Sequence, residues 1–100
     1  MNHEFLPEAQ AEFGRAVAYY DQCGLGLGDE FVAEVEAAIR RILDYPHAWS
    51  EYHHGTRRCL TRRFPYGVVY QVRTGLILVV AVAHLRREPG YWVARLQPPS

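Results

Sequence analysis

The chain has 100 residues, 49% of them apolar and 22% charged, which allows one small domain with a single core and excludes a disordered chain. Cys23 and Cys59 are too few and too far apart for a disulfide framework, and no CxxC or Cys/His zinc spacing is present, so both are expected as buried free thiols in a reducing cytosol. The formal net charge is zero, but nine acids against three arginines before Glu51 give −6, and eight arginines against two acids from Glu51 onward give +6.

That split suggests a face for a polyanion or an acidic partner, unless the halves neutralise each other inside the fold. Every basic residue is Arg, which suits phosphate recognition but also follows genome composition. No basic region followed by an apolar core opens the chain, and the longest apolar run, residues 76–83, is too short to span a membrane. A cytoplasmic protein is expected.

In chain order, His3-Glu4-Phe5-Leu6 is a short strand stopped by Pro7. Proline at the first helical position followed by Glu8 starts a helix reaching about Cys23, with Ala9, Phe13, Ala16, Val17 and Tyr20 on one apolar stripe. Gly24 is positioned for a left-handed helix end. The alternating glycines 24, 26 and 28 lack the Lys-Ser/Thr and the preceding strand of a phosphate loop, so they read as a flexible turn.

A second helix follows from Asp29, as cap or first turn, to about Tyr45, with Phe31, Val32, Val35, Ala38, Ile39, Ile42 and Leu43 on its apolar face and Glu36 and Arg40 able to pair on the other. His47, His53 and His54 lie in a loop without a fixed partner, so a solvated loop is preferred over a metal site, and Trp49 is expected to cover a core edge.

Three strands complete the chain, at residues 57–63, 67–73 and 76–83, as an antiparallel meander whose far end the first strand can join. The last is uncharged and rich in Val, Leu and Ile, as for an interior strand. The order β-α-α-β-β-β is an α+β domain with the helical hairpin on one face of a small antiparallel sheet. No second layer is evident for the other face, so a partner is expected to cover it.

At the end of the apolar strand the chain switches to His84-Leu85-Arg86-Arg87-Glu88 and turns at Pro89-Gly90. Residues just past a rigid strand are well placed to meet a partner. The candidate contact set is Arg62, Arg63, Tyr66, His84, Arg86, Arg87, Tyr91 and Trp92, residue types that dominate interface hot spots, with packing as the alternative for the aromatics.

The series Arg63-Phe64-Pro65-Tyr66, Val69-Tyr70, the apolar strand, His84-Leu85-Arg86-Arg87 and Tyr91-Trp92 resembles the RelE/ParE superfamily of type II toxin–antitoxin toxins over nearly the whole chain. The resemblance implies a single-domain growth-inhibiting toxin for plasmid stabilisation, neutralised by a ParD-like or RelB-like antitoxin encoded by the adjacent gene, without metal or cofactor. The ParE branch implies binding to DNA gyrase through the contact set. The RelE branch implies ribosome-dependent messenger-RNA cleavage, with His84 as base or acid because imidazole titrates near neutrality, Arg62, Arg86 and Arg87 on the phosphate, and Tyr91 stacking on a base. Arg86 matches a RelE catalytic Arg, but Gly67 stands where RelE nucleases carry Arg, and Trp92 where they carry the catalytic Tyr. The ParE reading is therefore preferred. A non-toxic, antitoxin-binding relic is the third reading.

Overall fold

In the computed structural model, which describes residues 1–96, strand β1 (Asn2–Phe5) leads into helices α1 (Pro7–Cys23) and α2 (Leu27–Asp44). Strands β2 (Arg57–Leu60), β3 (Tyr66–Arg73) and β4 (Leu76–His84) follow, and a 3-10 turn closes the described chain at Val93–Leu96. The sheet order is β1-β4-β3-β2, with β1 parallel to β4 and the other pairs antiparallel. The β-α-α-β-β-β order, the helices on one face and the meander joined at its far end by β1 agree with the sequence.

Local chemistry explains where these elements start and stop. Leu6 still pairs with the sheet through its N–H to Val79 O (2.9 Å), and Pro7, which has no N–H to offer, opens α1. The end of α1 differs from expectation. Gly24 is extended, with φ −177°, while Gly26 holds the left-handed conformation, with φ 76°, just before α2. The reversal is placed there because Leu27 N–H bonds back to Gly24 O (3.1 Å), which also leaves Asp29 in the first turn of α2 rather than at its cap. Gly28 lets the helices approach, since a Cβ there would meet the Asp21 carboxylate.

β2 stops three residues short of the expected Arg63. The Thr61 hydroxyl donates to Phe64 O (2.6 Å), and Glu34 Oε1 accepts the Arg62 and Arg63 N–H groups at 2.9 and 2.8 Å, so the chain coils against α2 instead of extending. β3 and β4 turn back through Thr74-Gly75, with Gly75 at φ 68°. Val69 pairs with Ala81 but Tyr70 pairs with Val79, leaving Val80 as an extra residue in β4. Both Val80 and Ala81 consequently face away from the helices.

The bulge divides the buried side chains between two faces. On the helix face Phe31, Val35, Ala38 and Ile42 pack on Val68, Tyr70, Ile77, Val79 and Val82, with Trp49 at the margin. On the other face Val69, Leu78, Val80 and Ala81 pack with Trp92, flanked by Tyr52, Tyr91 and Leu96. The expectation that this face lies open for a partner is therefore corrected. The segment after Pro89-Gly90 folds back and covers it with the chain's own aromatics. Cys59 is buried as expected, and burial pushes its thiol up, but Cys23 is exposed at the end of α1.

The charge halves also meet inside the fold. Glu30 pairs with Arg63 at 2.9 Å and Glu12 with Arg95 at 2.7 Å, and these are the ion pairs among the described residues. Glu36 and Arg40 do not form the pair their spacing allowed.

Candidate functional site

Tyr66 begins β3 and His84 ends β4, and the register makes them cross-strand partners with ring centroids 5.1 Å apart. Leu85 N–H bonds Pro65 O (2.9 Å), so the two strand ends are stitched together beyond the sheet. The chain then turns tightly. Arg87 N–H donates to His84 O (3.0 Å) and Arg86 N–H to His84 Nδ1 (3.0 Å), which leaves the imidazole with Nε2 free to meet a partner. Backbone geometry thus fixes His84, while the side chains of Arg86 and Arg87 project from an exposed turn.

Helix α1 passes across this end of the sheet and supplies the rest of the site. A cavity of about 240 Å³ lies between Glu12, Arg15 and Tyr19 of α1 and Tyr66, His84, Arg87 and Tyr91. A second, of about 500 Å³, joins it through Tyr66 and His84 and is bounded by Tyr20, Cys23 and Arg86. Tyr19 is 60% exposed, whereas the Tyr20 ring packs on Phe31 and Phe64 at 5.1 and 4.8 Å. Burial, with the nearby tyrosines and Glu12, raises the Tyr66 hydroxyl above its ordinary value, so it stays protonated and can donate or accept a hydrogen bond.

The floor of the smaller cavity is an ion-pair network. Glu12 accepts from Arg95 in bidentate fashion (2.7 and 3.0 Å), from the Tyr91 hydroxyl (2.5 Å) and from Val82 N–H (3.2 Å). Arg95 also donates to Val80 O (3.1 Å), the carbonyl at the bulge. Burial raises the Glu12 pKa, but the Arg95 and Tyr91 hydrogen bonds, the Arg95 charge and the Val82 amide outweigh it and hold the carboxyl below its ordinary value. The same contacts act on the partners. Burial and the Glu12 hydrogen bond push the Tyr91 hydroxyl far up, and the Glu12 bond raises Arg95.

The eight candidate residues do not form one surface. Tyr66, His84, Arg86, Arg87 and the ring of Tyr91 come together, with the Arg87 guanidinium 3.8 Å above the Tyr91 ring. Arg62 and Arg63 lie in the β2–β3 loop against α2, where Arg63 pairs with Glu30 and Arg62 lines a separate groove with Arg41 and Arg58. Trp92 is 1% exposed, within the core on the second sheet face, so its indole presents no contact surface. The Tyr91 hydroxyl is turned inward to Glu12.

A family model described as ParE toxin of type II toxin–antitoxin system, parDE, matches residues 4–89. The chain belongs to the ParE toxin family. Membership supports a toxin role and a cognate antitoxin as partner. Among solved structures, a chain of the chromosomal ParDE toxin–antitoxin system from P. aeruginosa shares the fold, with a TM-score of 0.61 and 13% identity over 84% of this chain and 95% of the other. No curated protein sequence matches.

Within this ParE-family chain, the members of the site that sequence reasoning missed sit on α1, apart from Arg95. Glu12, Arg15, Tyr19 and Cys23 recur at spacings of three and four, a second helical stripe beside the apolar one. Glu12, Arg15 and Tyr19 raised no signal there, because polar residues beside an apolar stripe are ordinary for the outer side of an amphipathic helix. Arg95 carried no local signal, because its partner is 83 residues away. No helix among the described residues is long and apolar enough to cross a membrane.

Proposed function

We propose that this chain arrests growth by binding an essential protein target, DNA gyrase, through the surface formed by Tyr66, His84, Arg86 and Arg87 with Arg15 and Tyr19, and that a cognate antitoxin neutralises it. A role in plasmid stabilisation and action in the cytoplasm belong to the same reading. Family membership carries the toxin role, and the match is to ParE. The chemistry of the surface supports a binding mode: exposed arginines and tyrosines beside a rigid strand pair are the composition of a protein-contact hot spot.

The RelE-type nuclease reading has less support from the same residues. A leaving oxygen needs a proton donor within reach. The Tyr91 hydroxyl is committed to Glu12, and position 92 holds a buried indole. At position 67 a Cβ would meet Arg58 Cγ and Cδ at 3.0 Å, so the strand is packed for glycine rather than for a projecting cation. Arg62, assigned to the phosphate in that reading, lines a different groove from His84 and Arg86.

Inducing the chain alone in a bacterial host, with DNA damage response and transcript integrity followed in one culture, tests the proposal. Growth arrest with filamentation, a damage response and intact transcripts is expected, and Arg86→Ala/Arg87→Ala should relieve it. Rapid cleavage of translated transcripts would establish the nuclease instead. Absence of arrest would leave an antitoxin-binding relic.

A further inference from the structure

The open groove beside β2 has no part in the surface just described. It has a volume of about 560 Å³ and is lined by Arg41, Arg58 and Arg62, with Trp49, Glu51 and Leu60. None of the three guanidinium groups has a carboxylate partner among the described residues, since the ion pairs there are Arg63–Glu30 and Arg95–Glu12 and Glu34 meets Arg62 only at its backbone N–H. Arg58 instead lies 4.3 Å over the Tyr52 ring, and Arg41 donates to Leu60 O at 3.2 Å. The groove is thus cationic, with one acid, and Leu60 is 44% exposed beside it.

β2 is also the outer strand of the sheet. Thr61 N–H bonds Tyr66 O (3.0 Å), and antiparallel alternation from that bond directs the backbone groups of Cys59 toward β3 and those of Leu60 outward. Arg41 on Leu60 O confirms the outward direction. Along this edge, Glu51 bridges to Arg57 at the start of the strand, and the Leu60 end has no neighbouring strand. Outer strands with unpaired backbone groups accept an added strand, and arginines beside them repel another copy of the same edge while attracting an acidic one.

We propose that the antitoxin adds an extended acidic segment along β2 as a fifth strand, its carboxylates meeting Arg41, Arg58 and Arg62 and an apolar side chain seated over Leu60 and Trp49. The inference rests on the antitoxin partner of the proposed function, but it locates neutralisation at the opposite edge of the sheet from β1, in a groove that Tyr66 and His84 do not line. Charge complementarity selects the occupant. The arginines favour a carboxylate-rich segment, and the exposed Leu60 favours a peptide over a bare polyanion.

The test uses the full chain co-purified with the antitoxin encoded by the adjacent gene. Hydrogen exchange of the wild-type complex should show the Leu60 amide newly protected, while Cys59, already bonded to β3, changes little. Arg41→Glu/Arg58→Glu/Arg62→Glu should weaken the complex on the order of 100-fold through like-charge repulsion and flatten its salt dependence. In the host it should remain toxic yet escape rescue, whereas Arg86→Glu/Arg87→Glu should still bind antitoxin. A complex of normal affinity with Leu60 exchanging as in the free chain overturns this inference and leaves the toxin reading intact. A complex with Leu60 protected but without growth arrest overturns the toxin reading alone. Failure of any complex to form overturns both the partner and its seat, and binding of single-stranded RNA rather than the antitoxin at these arginines reassigns the groove.

Discussion

Phe31, Val35, Ala38 and Ile42 reach one face of the sheet on a continuous helix, whereas Trp92 reaches the other on a short irregular segment held by a single carboxylate. The helix can place successive side chains on one stripe because its own backbone hydrogen bonds fix their spacing. The C-terminal segment has no such scaffold. It is positioned by Tyr91 and Arg95 gripping Glu12 across the open side of β4, beyond the point where β1 ends. One face is covered by periodicity and the other by an anchor. This difference also explains why the candidate site is sited where it is: the anchor forms the floor of the cavity between α1 and the strand ends.

The sharpest way to break that comparison is Trp92→Ala. The indole is fully buried over Val69, Val80 and Ala81, so its removal should cost about 3–5 kcal/mol, as much as truncating Phe31 on the helix face. Chemical denaturation of the two variants should give single transitions with similarly lowered midpoints. If Trp92→Ala left the midpoint in place, the C-terminal cover would be an appendage and the second face would need another protein after all.

Glu12→Gln should come next, at about 3 kcal/mol, because it leaves the Arg95 guanidinium, itself mostly buried, without its carboxylate. The pH dependence has a definite sign. The folded Glu12 pKa lies below its ordinary value of 4.5, so its contribution is fully present above that value and disappears as pH falls through the folded pKa. Acid titration of wild type followed by circular dichroism should show this loss, and Glu12→Gln should remove its part of the slope. An identical acid slope in the variant would mean that the pair does not hold the segment.

The contrast between the faces also accounts for what the sequence disclosed. Helical spacing of Phe13, Ala16 and Tyr20, and of Phe31, Val35, Ile39 and Ile42, reported the hairpin, and the uncharged run from Leu76 reported an interior strand, because each signal is local. The bulge at Val80 was hidden, since a run of apolar residues looks alike on both faces. Tyr91-Trp92 read as a contact pair because aromatics serve cores and interfaces equally well. Only the union of Glu12 with Arg95 turns that segment inward, and a pairing so distant in sequence leaves no pattern. Tyr66, His84, Arg86 and Arg87 lie together at one end of a hairpin that was legible from its turn, although the one-residue shift that pairs Tyr66 with His84 comes from the hidden bulge. Arg62 and Arg63 do not join them, since the coiling of their loop depends on Glu34.

Tyr91→Phe should have the smallest effect of the series, about 1.5 kcal/mol, the low end for a hydrogen bond to a charged group. The ring remains beneath the Arg87 guanidinium, and Glu12 keeps both Arg95 bonds, so only the hydroxyl donor is lost. Here the sign of the pH dependence reverses. A phenol whose folded pKa is raised above 10.0 contributes stability that is present below the unfolded value and is lost as pH rises through the folded one. Wild type should therefore weaken above about pH 10, and Tyr91→Phe should weaken less steeply there while matching wild type's slope in acid more closely than Glu12→Gln does. Tyr70, whose hydroxyl donates to Pro46 O at 2.8 Å and is pushed up to about 12 by burial, retains its share of the alkaline slope in the variant. The Tyr66 hydroxyl and the Cys59 thiol are raised by burial as well, so Tyr91→Phe is expected to lower the alkaline slope without flattening it. An unchanged alkaline slope in Tyr91→Phe alone would show that the hydroxyl does not hold Glu12, leaving Arg95 as the sole grip on the second face.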